Sequence, residues 1–446
     1  MRRNLTALLV PVAAALPSTA GVEGAAPGYG FDVTAFRLAL APDIVAGTLS
    51  GEETITLRVT ADRLRRLRFS ANALSIDRAT LDGVPVRHGV HDGALHFDPV
   101  SPLVRGRVAR LRVSYQGTPA RGFARSATGL YTSYFACDWM ICAQDRFGDK
   151  ADITLDLRVP AGLRTLSVGR QLSWRPGSGG VEVHRWTAPR PYSAYLFGFA
   201  VGRFHSATET IGAARLTYLS DAEDAAALAR RFADTRAMVA FLAGKAGVPL
   251  PAAEYSQLLV AGNEAQEAAT YAVLGTETVS AAPGDAGEDW AIVHELAHQW
   301  WGNLVTCATL RDFWLNEGVT TFMTAAWKEQ RYGAAAYAAE LAEAGARLAR
   351  ARAQGFDTPL AWPGRYPSLG VRRAVQYSKG ALFMAHLRTV LGERAFWAGL
   401  RRYTRAHAGG MVTSADLQRA MEAASGRNLR PLFTQWVYGG EAGSGA

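Results

Sequence analysis

The stretch Val293-His294-Glu295-Leu296-Ala297-His298-Gln299-Trp300-Trp301 contains two histidines four positions apart, with a glutamate directly after the first. Four positions are about one turn of an α-helix, or ~5.4 Å along its axis, so both imidazoles can reach one metal ion. Glu295 lies on a neighbouring part of the same face, where its carboxylate can take a proton from a metal-bound water. The stretch therefore predicts a helix that contributes two ligands and a general base to a zinc site.

A third metal ligand is predicted further along the chain, at Glu317 within Trp314-Leu315-Asn316-Glu317-Gly318. Two histidines and one carboxylate leave the fourth position of a tetrahedral Zn²⁺ open for water or substrate, as catalysis requires. The alternative is a pair of ordinary core histidines and a surface glutamate, and the combination of residues argues against it. We expect one Zn²⁺ per chain, bound by His294, His298 and Glu317.

Alternation of apolar and polar residues dominates the chain up to residue 205. Clear examples are residues 54–59, 110–113 and 152–159, which are separated by segments rich in Gly, Pro and Asp. This pattern is typical of half-buried antiparallel strands. We therefore predict an N-terminal antiparallel β domain, saddle-shaped or sandwich-like, over residues 21–205.

Helical periodicity replaces this alternation over residues 206–438. The predicted helices cover residues 221–244, 288–301, 319–332, 335–353, 378–391 and 414–424. The first of them has Ser220 as a candidate N-cap and Gly244 at its end. Short strands at 216–219 and 257–260 lie among the helices, which predicts a mixed but mainly helical domain and an α+β multidomain protein.

The zinc segment resembles the aminopeptidase N family of zinc metallopeptidases, the gluzincin aminopeptidases. The resemblance rests on His-Glu-Leu-Ala-His-Gln-Trp-Trp-Gly-Asn at 294–303 and Trp-Leu-Asn-Glu-Gly at 314–318. Three further segments resemble that family in the same order: Phe199-Ala200-Val201-Gly202-Arg203-Phe204, Tyr377-Ser378-Lys379-Gly380 and Thr434-Gln435-Trp436-Val437. The resemblance implies a thermolysin-like catalytic domain that hydrolyses N-terminal residues from peptides with a free amino terminus. Many relatives continue into a large helical domain, so we expect a short form without it.

The same sequence features are compatible with other functions. A zinc endopeptidase, or a hydrolase of another amide, would use the same metal site, and a pseudoenzyme would bind peptides without cleaving them. The intact ligand set argues against the pseudoenzyme, whereas a departure in the amine-binding segment leaves it open.

The resemblance assigns roles to two further residues. Tyr377 matches the family's catalytic tyrosine, whose hydroxyl donates a hydrogen bond to the oxyanion of the tetrahedral intermediate. Its alternative role is that of a half-buried tyrosine at the start of a helix. Asp312 is predicted either to orient a ligand histidine or to lie at a helix start.

The amine-binding segment departs from the family's Gly-x-Met-Glu-Asn pattern. Matching Ala265-Gln266-Glu267 to Ala-Met-Glu makes Glu267 the carboxylate that binds the substrate's amine. A shifted register would assign that role to Glu264. We prefer Glu267, because glutamine resembles methionine in size and a protonated amine pairs well with a carboxylate in a partly dry site.

The family also contributes an amine-site residue from a loop of the N-terminal domain. In this chain that loop is a shorter segment at residues 137–145, where Asp138, Gln144 or Asp145 could serve. Cys137 and Cys142 lie in the same segment. We predict that these two cysteines form a disulfide and that Cys307 stays free.

The beginning of the chain has the features of a secretory signal peptide over residues 1–20. Arg2 and Arg3 precede an apolar run at 5–16, and small residues follow at Ser18 and Ala20. The run is too short to span a bilayer comfortably, so we expect a secreted or periplasmic protein without stable membrane insertion. A Gly/Ser/Ala-rich tail at 439–446 is expected to be flexible.

Charge argues against a nucleic-acid partner. The formal net charge is +9 over 446 residues, and no lysine- or arginine-rich block concentrates it. The sequence leaves the oligomeric state open.

Overall fold

A computed structural model describes residues 29–281, 284 and 290–439. The predicted signal peptide (1–20) and nearly all of the predicted tail (439–446) lie outside the described residues. None of the helices in the described part of the chain combines the length and apolar character that crossing a bilayer requires.

The N-terminal part is built from eighteen strands and one helical turn in the described residues. The strands are β1 (Phe31–Asp43), β2 (Thr48–Val59), β3 (Arg63–Leu64), β4 (Leu67–Ser70), β5 (Ser75–Leu81), β6 (Val84–Pro85), β7 (Arg87–His91), β8 (Ala94–Asp98), β9 (Leu103–Val104), β10 (Val108–Gly117), β11 (Phe123–Arg125), β12 (Leu130–Thr132), β13 (Lys150–Pro160), β14 (Arg164–Ser167), β15 (Arg170–Pro176), β16 (Val181–Thr187), β17 (Tyr192–Ser193) and β18 (Phe199–Gly202). The turn is α1 (Ala136–Trp139).

A nine-stranded sheet forms the body of this β-rich part. Its order is β15-β16-β13-β1-β2-β10-β5-β6, with β17 pairing to β13. Every strand pair is antiparallel except β1 with β13. Along β13 every second residue is buried, from Ala151 through Ile153, Leu155 and Leu157 to Val159, and the residues between them are more exposed, as the alternation predicted.

A second, five-stranded sheet begins at His205 and supports the helices. It contains β19 (His205–Ile211), β20 (Ala214–Ser220), β21 (Glu254–Val260), β22 (Ala265–Ala268) and β23 (Tyr271–Gly275), and its order is β19-β20-β21-β23-β22. The last strands are β24 (Thr306–Cys307) and β25 (Met411–Val412). The edge strand β22 is antiparallel to β23 and contains Glu267.

Nine α-helices and several short helical segments follow in the described residues. The helices are α2 (Ala225–Arg231), α3 (Thr235–Ala246), α4 (Trp290–Ala297), α5 (Trp314–Tyr332), α6 (Ala334–Ala353), α7 (Leu369–Arg372), α8 (Gly380–Ala406), α9 (Ser414–Ser425) and α10 (Arg430–Phe433). The 3₁₀ segments are Ala194–Leu196 and Leu310–Asp312, and the π-helical segments are Arg373–Lys379 and Thr434–Tyr438. A β-rich part followed by a mainly helical part confirms the α+β fold class.

The prediction of one helix over 221–244 is wrong. The chain forms α2 and α3 with a break between them, where the fully buried Phe232 stacks on Tyr218 at 4.9 Å between ring centroids. The N-cap of α2 is Asp224, whose carboxylate accepts from the Ala227 amide at 2.8 Å, and not Ser220. Burying an aromatic ring redirects the backbone here, which helix periodicity does not reveal.

Two other helix boundaries differ from the prediction. Helix α5 begins at Trp314, so Glu317 lies in its first turn and not before the helix. The buried Trp314 indole donates to Ser414 Oγ at 2.9 Å and fixes this start. Helix α8 continues past Leu391 through a kink at Gly392, whose φ of 74° lies in the left-handed region.

The β-rich part holds the loop that follows α4. Lys150 on β13 donates from Nζ to the carbonyls of Asn303 at 3.1 Å and Leu304 at 3.0 Å. Burial lowers the pKa of Lys150 to about 7. The buried Tyr195 hydroxyl accepts from Asn316 Nδ2 at 3.3 Å. The predicted disulfide between Cys137 and Cys142 is present, and the Cys307 thiol is free and buried.

A carboxyl group lies in the centre of the β-rich core. Glu53 on β2 is fully buried. Its Oε2 accepts from the Ile141 amide at 2.8 Å and from the Tyr115 hydroxyl at 3.3 Å. Oε1 has no hydrogen-bond partner among the described residues. Burial raises the pKa of Glu53 to about 8.

Glu53 therefore predicts a pH-dependent stability. Because the folded-state pKa lies above the unfolded value of about 4.3, the folded chain holds a proton that the unfolded chain releases. The stabilisation is complete below about pH 4 and is lost as the pH rises to 8. We expect Glu53→Gln to raise the melting temperature by a few degrees at pH 8.5 and by less at pH 5. Thermal melts at both pH values would measure the melting temperatures of the wild type, Glu53→Gln and the exposed control Glu52→Gln. A difference between Glu53→Gln and the wild type that does not change with pH would contradict the prediction.

Candidate active site

Helix α4 and the residue after it bring together the first two predicted ligands. His294 and His298 are both buried, and the amide of His298 still donates to the His294 carbonyl at 3.2 Å, which continues the helical pattern. Their Nε2 atoms are 3.2 Å apart. His298 Nδ1 lies 3.0 Å from the Trp301 carbonyl. A proton donated from Nδ1 to that carbonyl leaves Nε2 free to bind a metal.

Glu317 completes a triangle of ligand atoms. Its Oε2 lies 3.2 Å from His294 Nε2 and 3.4 Å from His298 Nε2. In a tetrahedral zinc site with metal–ligand distances of about 2.0–2.1 Å, neighbouring ligand atoms are separated by about 3.3–3.4 Å. The three side chains therefore fit one zinc ion without rearrangement.

Close helix packing places Glu317 and Tyr377 at the same site. Gly318 lies against Gly380, and a Cβ on Gly318 would come within 2.7 Å of the Gly380 Cα and 2.9 Å of the Gln376 carbonyl oxygen. Only glycine allows the backbones of α5 and the Tyr377 segment to approach this closely. The residue directly after the metal ligand thus sets the distance to the neighbouring helix.

Tyr377 lies in the π-helical segment Arg373–Lys379, directly before α8. Its ring is nearly parallel to that of His294, with 5.9 Å between centroids and 10° between planes. Burial raises the pKa of Tyr377 well above its ordinary value. The hydroxyl therefore remains protonated at neutral pH and can act as a hydrogen-bond donor beside the metal ligands.

Glu267 on β22 joins this cluster. Ligand atoms of Glu267, Glu295 and His298 all lie within 4.8 Å of one another. Burial raises the pKa of Glu267 to about 7 and that of Glu295 well above its usual range. Burial alone would raise the pKa of Glu317, but the His298 charge and the hydrogen bonds from His294 and His298 together outweigh it and keep that pKa low. The site thus concentrates three carboxylates in a space that favours cations.

Glu264, the alternative amine anchor, is held elsewhere. Its carboxylate accepts from the Ser133 hydroxyl at 3.0 Å and from the Tyr131 hydroxyl at 3.5 Å, both from the β-rich part. Gln266, next to Glu267 on the strand, accepts from the Tyr134 amide at 2.5 Å. Of the two glutamates, Glu267 is the one in the carboxylate cluster with His298.

The three loop residues proposed for the amine site are engaged in other contacts. Asp138 is buried and forms a bidentate pair with Arg121 at 2.9 and 3.0 Å. Asp145 accepts from the Tyr29 hydroxyl at 2.6 Å. Gln144 bonds within its own loop, accepting from the Cys137 amide at 3.4 Å.

Tyr134 extends from this loop toward β22 instead, and sequence reasoning missed it. Its hydroxyl donates to the Ala265 carbonyl at 2.6 Å, and its side chain is 42% exposed. Its φ of 55° is unusual for a bulky residue. Such strain often marks a functional site, but it has no signature in the sequence.

Asp312 does not orient a histidine. Its Oδ1 accepts from the Ser414 amide at 3.0 Å and from the Ser414 hydroxyl at 2.5 Å, so it fixes the start of α9. It ends the 3₁₀ segment Leu310–Asp312, two residues before α5. The prediction that it orients a ligand histidine is wrong, because its carboxylate is committed to Ser414. A backbone carbonyl, that of Trp301, contacts His298 in its place.

The chain is similar in sequence to known peptidases. Residues 272–436 match the model of the Peptidase family M1 domain. Aminopeptidase M1-C of Oryza sativa subsp. japonica is 24% identical over 433 residues, covering 90% of this chain and 49% of the relative. Aminopeptidase N of Streptomyces lividans is 31% identical over 156 residues, covering 33% of this chain and 18% of the relative. The chain spans about half the length of the plant relative.

A solved structure matches over nearly its whole length. A mutant of a two-domain M1 zinc metallopeptidase, bound to L-tryptophan, is 25% identical, with a TM-score of 0.75 and coverage of 92% of this chain and 95% of that one. The M1 zinc metallopeptidase of Deinococcus radiodurans has a TM-score of 0.75 at 24% identity, with 92% and 94% coverage. The two-part architecture of this chain is therefore similar to that of a two-domain M1 zinc metallopeptidase.

The ligand triangle predicts how single substitutions change metal content. His298→Ala and Glu317→Ala should each lose the zinc, because two remaining ligands bind it too weakly. Glu295→Gln should retain zinc at the wild-type ratio, because Glu295 is not one of the three ligands. Elemental analysis after dialysis would measure this, and a metal-free Glu295→Gln protein would contradict the assignment.

Proposed function

Because residues 272–436 of this chain form an M1 peptidase domain, we propose that the protein is a zinc-dependent aminopeptidase that removes residues from the amino end of peptides. The observation that carries this proposal is the position of Glu267 beside Glu295 and His298. A carboxylate there can bind the substrate's α-ammonium group next to the reacting carbonyl.

The residues of the site have different roles in peptide hydrolysis. Zinc held by His294, His298 and Glu317 would polarise the scissile carbonyl and acidify the attacking water. Glu295 takes the proton from that water and later gives it to the departing amine. Tyr377 donates a hydrogen bond to the oxygen on which negative charge develops.

Charge balance favours an aminopeptidase over an endopeptidase. The three carboxylates of the cluster carry a formal charge of about −3 when ionised, and a divalent ion with neutral imidazoles leaves about −1. An α-ammonium group supplies the missing positive charge. An endopeptidase would place a neutral peptide group against Glu267, which leaves a carboxylate without a cation in a partly dry site.

The pseudoenzyme alternative finds no support in the site. The three metal ligands form a closed triangle, Glu295 lies in the cluster with Glu267, and Tyr377 stacks over His294. A binding protein has no need for this complete set of reactive groups.

We also propose that the protein is exported. The basic start, apolar run and small residues at 1–20 support this. The Cys137–Cys142 disulfide adds support, because such bonds persist in oxidising compartments.

Tyr377→Phe tests the oxyanion role. If the hydroxyl acts only in the transition state, kcat should fall by about 100-fold or more with little change in KM. The variant should keep its zinc and its melting temperature, because the ring remains in place. Wild-type kcat in this variant would remove Tyr377 from the mechanism.

The aminopeptidase proposal is tested by blocking the substrate's amine. A free aminoacyl substrate should be hydrolysed, whereas its N-acetylated form should not. Glu267→Gln should lower kcat/KM on the free substrate by about 10- to 100-fold, because a charge-assisted hydrogen bond is lost. The control Glu264→Gln should change it by less than about threefold.

Digestion of a peptide of about twenty residues provides an independent check. Mass spectrometry should show a ladder of products shortened from the amino end. Internal fragments, or equal hydrolysis of acetylated and free substrates, would indicate an endopeptidase and contradict the proposal.

A further inference from the structure

A groove of about 540 Å³ lies beside the helical segment that carries Tyr377. Three arginines contribute to its lining: Arg311, Arg365 and Arg372. Trp362 and Tyr366 add aromatic surface, and none of its described lining residues is acidic. We call this feature the basic groove.

Several arginines of the helical part are held by carboxylates. Arg388 bonds to Glu329 and Glu393, and Arg352 bonds to Asp357. None of the three groove arginines forms an ion pair with a carboxylate in the described part of the chain. Their positive charge is therefore available to a ligand.

Neutral contacts hold two of the three guanidinium groups. Arg311 Nε donates to the Ala361 carbonyl at 3.1 Å. Arg372 Nε donates to Gln376 Oε1 at 2.9 Å, and its guanidinium lies 4.6 Å from the centre of the Phe313 ring. Fixing an arginine by neutral partners reduces the entropy lost when it binds an anion.

The basic groove shares its supporting elements with the catalytic groups. Gln376, which lines it, directly precedes Tyr377, and Arg372 lies five positions before Tyr377, which is at most about 7.5 Å along the axis of the helical segment. Leu310 and Arg311 lie in the 3₁₀ segment that leads into α5, which carries Glu317. An extended peptide advances about 3.3–3.6 Å per residue, so a separation of this size along the helical segment corresponds to two or three peptide residues.

We propose that the basic groove binds a carboxylate of the peptide on the departing side of the scissile bond. This rests on the proposed function and specifies its substrates. Glu267 binds the ammonium at one end of a short peptide, and the groove binds a carboxylate two or three residues further on. The carboxylate is either the peptide's own C-terminus or an acidic side chain, and guanidinium groups bind both well.

Binding of peptides that cannot be cleaved tests the groove separately from catalysis. Three tetrapeptide analogues share one first residue and carry a reduced CH₂–NH bond at the scissile position. One ends in a free carboxylate, one in an amide, and one in an amide with an aspartate side chain near that end. Calorimetry on the zinc-loaded protein should give about tenfold tighter binding for the free acid than for the plain amide.

Substitution of the arginines tests whether they cause the tighter binding of the free acid than of the amide. Arg365→Gln removes no contact found in the described residues and should reduce the acid-to-amide ratio to about threefold. The double variant Arg365→Gln/Arg372→Gln should bring it close to one. Arg175→Gln, on the exposed strand β15, is the matched control and should leave it unchanged. Tight binding of the aspartate-amide peptide would identify a side chain as the ligand, and weak binding would identify the C-terminus.

Equal affinity of the wild-type protein for all three peptides would overturn the proposal. A wild-type ratio that persists in both arginine variants would do the same. Hydrolysis of the matching cleavable peptides is measured in parallel. A preference that depends on the arginines, without any hydrolysis, would support the groove and contradict the proposed function.

Discussion

Glu267, Glu295 and Glu317 crowd their carboxylates around His298 in a buried space, and the cost of burying these negative charges close together is the constraint that the rest of the site satisfies. Such a cluster is costly without positive charge nearby. A divalent ion within the triangle of His294, His298 and Glu317 would offset most of this negative charge. Under the proposed function, the remaining negative charge selects a substrate that brings its own ammonium group.

Three elements of the fold create this crowding. The helix with His294 and His298 packs near an edge strand, so Glu267 reaches the site from the sheet. Glu317 arrives from a second helix, whose next residue, Gly318, allows contact with the Tyr377 segment. The predicted metal ligands and Tyr377 thus come from separate parts of the chain, and their spacing depends on backbone contact.

The sequence predicted the parts of the site that depend on local geometry. Histidines four apart on a helix must face the same way, and alternation in the first 205 residues predicted the strands. Residues whose role depends on tertiary contacts were harder to predict. Asp312 and Ser414 meet across a long stretch of chain, and Tyr134 reaches β22 through an unusual backbone angle. The break after α2 follows from the burial of Phe232 against the sheet, which no local pattern indicates.

The bonds from Lys150 to the carbonyls of Asn303 and Leu304 have a thermodynamic consequence. They join the β-rich part to the loop directly after the metal-binding helix, so melting of one weakens the other. By linkage, a ligand that binds only the folded state stabilises every element that unfolds together with its site. Zinc should therefore slow hydrogen exchange in strands such as β13, which contribute no ligand to it. Through the hydrogen bonds of Lys150, zinc binding would therefore also stabilise the sheet that contains β13.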